Sequence, residues 1–471
     1  MTQTTAAPAA AATGAAPITA RLRETFASGR TRSLRWRQAQ LDGLARMFTE
    51  REDEILAAVH ADLGKPTYEA WLGEIGASQT EIKHARRHLA SWMKPQRVGL
   101  PGFLRPGRGE LVAEPLGVVL VIAPWNYPVY LSVTPLLAAL AAGNCVVVKP
   151  SEVASASSAL LARLLPEYLD PDAVAVVEGG VAETTDLLSQ RWDHILYTGG
   201  PVVGRIVAEA AAKHLTPVTL ELGGKSPTIV HRDANLKQAA RRVAFAKFGN
   251  AGQTCIATDH VFVHRDVEEE FAGLVAAEIT QRYGEDPRAS EDYGRIINEG
   301  HTERLRSMID AGGFDGVAAG GQVDVDAKYV APTVLHGVSL DSQVMSEEIF
   351  GPILPLVAYD DIAEPIATIN AGEKPLALYV FSRSKAVVDQ VLGETSSGGA
   401  CVNEVMMHVF VSDLPFGGVG ESGYGAYHGK TGFDTFSHRK SVVRRPAWLP
   451  ELPAARAPYQ PWKLSMMRKF L

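Results

Sequence analysis

The chain has 471 residues, 46% of them hydrophobic and 21% charged, with a formal net charge of −7. That length exceeds one simple core and asks for two or three domains of ordinary globular composition. The acidic balance argues against the basic face that nucleic-acid binding needs, and three widely spaced cysteines, Cys145, Cys255 and Cys401, argue against a disulfide framework and for a reduced, cytoplasmic setting.

Residues 1–18 are rich in alanine and threonine and carry no acid, which predicts a flexible tail. Arginines at 21, 23, 30, 32 and 35 lend this end a faint organelle-presequence look. From Ile18, however, the spacing is that of a structural helix. Helical periodicity continues to about residue 95, broken at Ser28-Gly29 and Gly64–Pro66, with Leu41, Leu44, Phe48 and Ile55 on one face. Pro95–Arg108 reads as a linker. Leu116–Val148 carries no formal charge, but Pro124, Pro128 and Pro135 cut it into pieces too short to span a bilayer. It is read as strand, loop, helix, strand, and no membrane crossing is expected.

Strand-length apolar runs then alternate with helices. Gly117–Ala123, Cys145–Val148, Ala173–Val177, His194–Tyr197 and Val218–Leu222 are separated by helices near Ser132–Ala142, Glu152–Leu169, Ala182–Gln190 and Val202–His214. A second series follows: strand Thr228–Val230, helix Leu236–Phe248, strand Val261–His264, helix Val267–Tyr283, and strands Ile353–Tyr359, Ala377–Phe381 and Cys401–Val405. The pattern predicts an α/β chain with two doubly wound parallel-sheet domains, which bind ligands at the carboxyl ends of their strands. The end of the chain, Pro446–Leu471, combines spaced prolines with an amphipathic finish.

The residues that carry chemistry sit where such strands end. Cys255 lies in a turn rich in glycine and amides, Gly249-Asn-Ala-Gly-Gln-Thr-Cys255, where main-chain N–H groups can face a sulfur or an oxyanion. An inert buried thiol is the alternative. Glu221 lies in an apolar strand, where burial raises a carboxyl towards the range of a useful base; satisfaction by neighbouring N–H groups is an equal alternative. Asn126, between Pro124 and Pro128, could donate its amide to an oxyanion or merely hold a turn. Gly199-Gly200-Pro-Val-Val203-Gly204 follows a strand and opens a helix, a place suited to a pyrophosphate. Lys149 and Glu152 end another strand, with Ser151 a candidate helix cap, and could meet ribose hydroxyls. Two other motifs are false. Gly418–Gly423 spells Gly-x-Gly-x-x-Gly without a strand before it or a helix after it, and Gly224-Lys225-Ser226 lacks the first glycine of a P-loop. No metal-ligand spacing occurs, so no metal is expected.

Together, Pro124-Trp125-Asn126-Tyr127, Lys149-Pro-Ser-Glu152, Tyr197-Thr-Gly199, Leu220-Glu221-Leu-Gly-Gly-Lys-Ser-Pro, Gly252-Gln-Thr-Cys255 and Glu347-Glu348-Ile-Phe350 resemble, in order, the motifs of the aldehyde dehydrogenase superfamily, from about residue 19 onward. Ala212-Lys-His-Leu-Thr-Pro, Lys374-Pro-Leu-Ala-Leu-Tyr and Leu414-Pro-Phe-Gly-Gly are similar to its class 3 branch. The resemblance implies a dinucleotide-binding domain (19–94 and 115–219), a catalytic domain (220–409), a small β bridging element for oligomerisation (95–114 and 410–443), a C-terminal tail (444–471) and a homodimer. It implies Cys255 as nucleophile, Glu221 as general base for thioester hydrolysis and Asn126 as oxyanion donor. It further implies Trp125, Lys149, Glu152, Gly199, Val203, Gly204, Glu348 and Phe350 around the cofactor. Gly200-Pro201 departs from the polar pair usual in that branch. NAD is favoured by the carboxylate of Glu152, with NADP tolerated. Tyr127, Met406, Met407, Val409, Phe410 and Phe416, with Phe350, could line an apolar funnel for aromatic or medium- to long-chain aldehydes, or could equally be core. The alternatives are a CoA-acylating enzyme, which needs no glutamate to activate water, and a non-catalytic binding or structural protein on the same fold.

Overall fold

The computed structural model describes residues 14–451 and 456–470. Two parallel sheets organise it. In the first, the strand Val118–Ile122 lies at the centre, with Cys145–Lys149 and then Val174–Val176 on one side. His194–Gly199 and then Val218–Leu222 lie on the other, and Gly423–Tyr424 adds an antiparallel edge. The runs Val118–Ile122 and Cys145–Lys149 are buried along their whole length, as expected of β-branched strands covered on both faces. Because the chain leaves the central strand first to one side and later to the other, the carboxyl ends of Val118–Ile122 and His194–Gly199 part into a crevice.

The second sheet runs in the order Gly316–Ala319, Thr333–His336, Ile353–Tyr359, His260–His264, Pro227–Val230, Ala377–Phe381, Gly399–Val402, and only Gly316–Ala319 is antiparallel. Gln96–Val98, Arg108–Pro115 and Ser437–Arg444 form a separate antiparallel sheet, paired from Pro115 with Ser437 to Arg108 with Arg444.

The uncharged run does contain a helix, Tyr130–Ala142, and every residue of it is buried inside the protein. A helix apolar on all sides belongs in a core. Among the described residues no helix is long and apolar enough to cross a membrane.

Several boundaries differ from expectation. The expected tail falls partly on residues 1–13, outside the described residues, and partly on Ala15–Ile18, which open the helix Ala15–Ala27. The Asp186 carboxylate accepts the Ala15 N–H at 2.8 Å and fixes that start. The helix expected from Glu152 begins at Ser155, and Ser151 is not its cap. Asp62, from a distant helix, instead accepts the N–H groups of Ala156 and Ser157 at 2.9 and 2.8 Å. The strand expected at Cys401–Val405 spans Gly399–Val402, stopped by Asn403 at φ 51°. The chain's amphipathic finish is a helix, Pro461–Phe470.

Candidate active site

Two cavities meet between the sheets. One is a largely apolar chamber of about 300 Å³, the other a cleft of about 840 Å³. Leu131, Thr198, Glu221, Leu222 and Cys255 line both. The thiol and the carboxylate singled out in the sequence thus stand at the junction.

Cys255 is held there by an unusual turn. Asn250 and Ala251 adopt left-handed φ of 52° and 50°. Gly252, at φ 74°, presses so close to Gly351 that an added Cβ would lie 2.3 Å from its carbonyl oxygen, so only glycine fits. Gln253 is fully buried. Its amide donates to the carbonyls of Asn250 (3.0 Å) and Arg295 (2.9 Å) and accepts from the N–H of Ile297 (2.9 Å). Its own carbonyl accepts Asn126 Nδ2 at 3.0 Å, so the buried Asn126 amide and the thiol loop are tied together. Burial, and then the nearby carboxyl groups of Glu348 and Glu221, push the Cys255 thiol up to about 12, against the pull of the N–H groups of Cys255 and Ile256.

Glu221 is 2% exposed, and neither carboxyl oxygen receives a hydrogen bond from the described residues. The satisfied-carboxylate alternative is therefore not what the structure contains. Desolvation raises its pKa well above the ordinary carboxylate value.

The cleft has the features a dinucleotide needs. Trp125, Asn126, Gly199, Glu348 and Phe350 line it. An added Cβ at Gly199 would lie 2.3 Å from Tyr197 Oη. The following helix, Pro201–Ala212, starts after Gly200 with no side-chain cap, leaving its first N–H groups free for a pyrophosphate. Val202 lines the cleft. Val203 does not, although it is 41% exposed on the same helix. Gly204 faces inward and packs on Leu222, where a Cβ would come within 2.9 Å of Leu222 Cδ2. Lys149 and Glu152 form an ion pair with each other and stand outside the lining.

Glu348 sits over Gly223, where an added Cβ would be 2.0 Å from its Oε2. Burial and then the charge of Asp259 push it up to about 8, opposed by the Gly224 N–H, Lys225 and Arg304. Phe350, at φ 45°, sets its ring edge-on to Trp125 at 5.3 Å. Sequence reasoning missed what holds this segment. Lys225 pairs with Asp259 at 2.6 Å and donates to the Glu347 carbonyl at 2.9 Å, Asp259 accepts the Ile349 N–H at 2.9 Å, and Arg304 donates to the Glu348 carbonyl at 3.2 Å. The one available signal was Asp259 at the mouth of an apolar strand.

On the chamber side, Tyr127, Met406, Val409, Phe410 and Phe416 form the wall, with Lys65, Glu69, Arg282 and Asp292 adding charge. Phe350 belongs to the cleft instead, and Met407 lines neither cavity. Among the described residues no cluster of three or more His, Cys, Asp or Glu could hold a metal.

Comparison with known proteins shows the family. A family model described as "Aldehyde dehydrogenase family" matches residues 2–442. The chain is 50% identical to mouse (Mus musculus) aldehyde dehydrogenase family 3 member A2, over 90% of this chain and 87% of that one. It is 47% identical to the rat (Rattus norvegicus) enzyme named "Aldehyde dehydrogenase, dimeric NADP-preferring", over 94% and 97%. The substrate-bound structure of Staphylococcus aureus AldH superposes with a TM-score of 0.94 at 41% identity, covering 97% of this chain and 99% of that one. The chain belongs to the aldehyde dehydrogenase family and is an NAD(P)-dependent oxidoreductase acting on aldehydes.

Proposed function

We propose that the chain oxidises aromatic or medium- to long-chain aliphatic aldehydes to carboxylic acids through a thioester on Cys255. The observation that carries this reading is the shared position of Cys255 and the unpartnered Glu221 at the junction of an apolar chamber and a dinucleotide-sized cleft. The aldehyde enters by the chamber; Cys255 gives up its thiol proton to water, and Sγ adds to the carbonyl carbon. The Asn126 amide and the Cys255 N–H stabilise the oxygen as it gains charge. A bound nicotinamide supplies the acceptor for the oxidation. Glu221, its basicity raised by burial, takes a proton from water as that water attacks the thioester, and the acid leaves. A carboxyl held without a partner beside the thiol favours hydrolysis over acyl transfer to CoA.

In this reading Trp125, Gly199, Val203, Gly204, Glu348 and Phe350 serve the dinucleotide. Lys149 and Glu152, at the carboxyl edge of the first sheet, serve the adenosine ribose, and Glu152 favours NAD while NADP is tolerated. Tyr127, Phe410 and Phe416 contact the substrate. The first sheet belongs to a dinucleotide-binding domain and the second to a catalytic one. The antiparallel sheet of Gln96–Val98, Arg108–Pro115 and Ser437–Arg444 joins two copies into a cytoplasmic homodimer.

Two variants test the mechanism with hexanal or benzaldehyde. Cys255→Ala is expected to lower turnover by at least about a thousandfold while dinucleotide affinity, read by fluorescence titration, stays near wild type. Glu221→Gln is expected to give a burst of one NADH per site and almost no steady turnover. Steady turnover at the wild-type rate in either variant would overturn the assignment.

A further inference from the structure

Behind Asn126 lies an ion pair that the chemistry above leaves unused. Lys65 and Glu74 are 2.9 Å apart, and both side chains are shut off from solvent (0% exposed). Lys65 Nζ also donates to the main-chain carbonyl of Asn126 at 3.0 Å and stands 3.9 Å from the centre of the Tyr127 ring. The other oxygen of Glu74 accepts the N–H groups of Val129 and Tyr130 at 3.1 and 2.8 Å, at the start of the buried helix Tyr130–Ala142. The pair therefore grips the loop 126–130 at both ends.

The backbone is shaped for this grip. Trp71–Gly76, which carries Glu74, is a π-helix between two α-helical stretches. Such widened turns are rare and concentrate at functional sites. Gly73, in the same turn, lies against Tyr127, and a Cβ there would be 2.7 Å from Tyr127 Cε1. From the other side, Asn250 Nδ2 donates to the same Asn126 carbonyl at 3.0 Å. The main chain of Asn126 is thus held by two donors, one of them charged. A buried ion pair adds little stability over well-packed apolar residues, so stability alone is a weak reason for one here. Fixing geometry is a better one.

We propose that Lys65 and Glu74 are positioning residues for the oxyanion arm: acting through the Asn126 carbonyl and the Val129 and Tyr130 N–H groups, they set where the Asn126 amide stands relative to Cys255. This rests on the reading of Asn126 as the oxyanion donor. Neither side chain takes part in bond making. Their effect is on the registry of a donor that must already be in place as charge develops.

The test is a double-mutant cycle on the full-length protein with hexanal and NAD. Lys65→Met/Glu74→Gln removes the pair without stranding either charge, and it is combined with Asn126→Ala. The paired variant is expected to lose about 10- to 100-fold in kcat, with the KM for NAD within about twofold of wild type. In the Asn126→Ala background the same change is expected to cost less than about threefold, because the group it positions is gone. Glu74→Gln alone is isosteric but strands the buried Lys65 ammonium; it is read in the same cycle at a temperature where a thermal melt shows it folded, and is expected to show the same non-additivity. A wild-type kcat in the paired variant beside a deep loss in Asn126→Ala overturns this inference alone, as do losses that multiply across the cycle. A wild-type kcat in Asn126→Ala overturns the oxyanion reading and this inference with it.

Discussion

At Glu221, burial acts on two equilibria at once. It makes the carboxylate a stronger base, and it couples the side chain's proton to folding. The folded-state pKa lies above the unfolded one, so the contribution to stability is whole below the unfolded value of about 4.3. It is lost as pH rises towards the folded value, because the unfolded chain gives up the proton first. Glu221→Gln carries no such loss. Its melting temperature relative to wild type is therefore expected to climb between pH 5 and pH 8, by scanning calorimetry, and a gap that stays constant with pH counts against a neutral buried carboxyl. At Cys255 the same desolvation lifts the thiol to about 12. With no dinucleotide bound, alkylation by iodoacetamide is expected to accelerate about tenfold per pH unit from 7 to 9. A rate already level at pH 7 sinks that reading. These residues could be singled out from the sequence because the signal of each lies in near neighbours: a thiol among glycines and amides, a carboxyl in an apolar strand. The partners of Asn126 could not, since Lys65 falls in the break at Gly64–Pro66 and Glu74 in helical sequence, both places where charge ordinarily faces water.

The elements show a similar division. The strands Val118–Ile122, Cys145–Lys149, His194–Gly199 and Val218–Leu222 fall close to their expected places, because continuous β-branched runs report burial on both faces. Helix starts were less legible. Ser155–Tyr168 opens under the carboxylate of Asp62, which lies 94 residues away from Ala156 in sequence. No local pattern could announce that cap. Asp62→Ala leaves two helix N–H groups without an acceptor and is expected to cost about 1–2 kcal/mol in urea unfolding, with kcat for hexanal unchanged. A change under about 0.3 kcal/mol is too small for a cap and counts against this one. The segment Glu347–Phe350 is likewise fixed from afar, by Lys225, Asp259 and Arg304. Its motif was readable, and its support was not.

For the whole molecule, a dinucleotide seated as proposed in the cleft between the two sheets would tie stability to the cofactor. A dinucleotide that binds only the folded chain adds about 2.7 kcal/mol at a hundred times its Kd. NAD is expected to raise the melting temperature by several degrees in a thermal-shift titration, with NADP giving a smaller rise at equal concentration. Equal or reversed shifts overturn the favouring of NAD drawn from Glu152. The sequence by itself determined the α/β architecture with two parallel sheets, the family, and the thiol, carboxylate and amide to look for, because periodicity and residue type are local properties. Only the tertiary structure decided which cavity each residue faces. It put Phe350 in the cleft and Phe410 in the chamber, left Glu221 without a partner among the described residues, and brought Lys65 and Glu74 behind Asn126. Those outcomes depend on segments far apart in the chain meeting in a desolvated interior, where a missing partner or a buried charge has its full energetic weight.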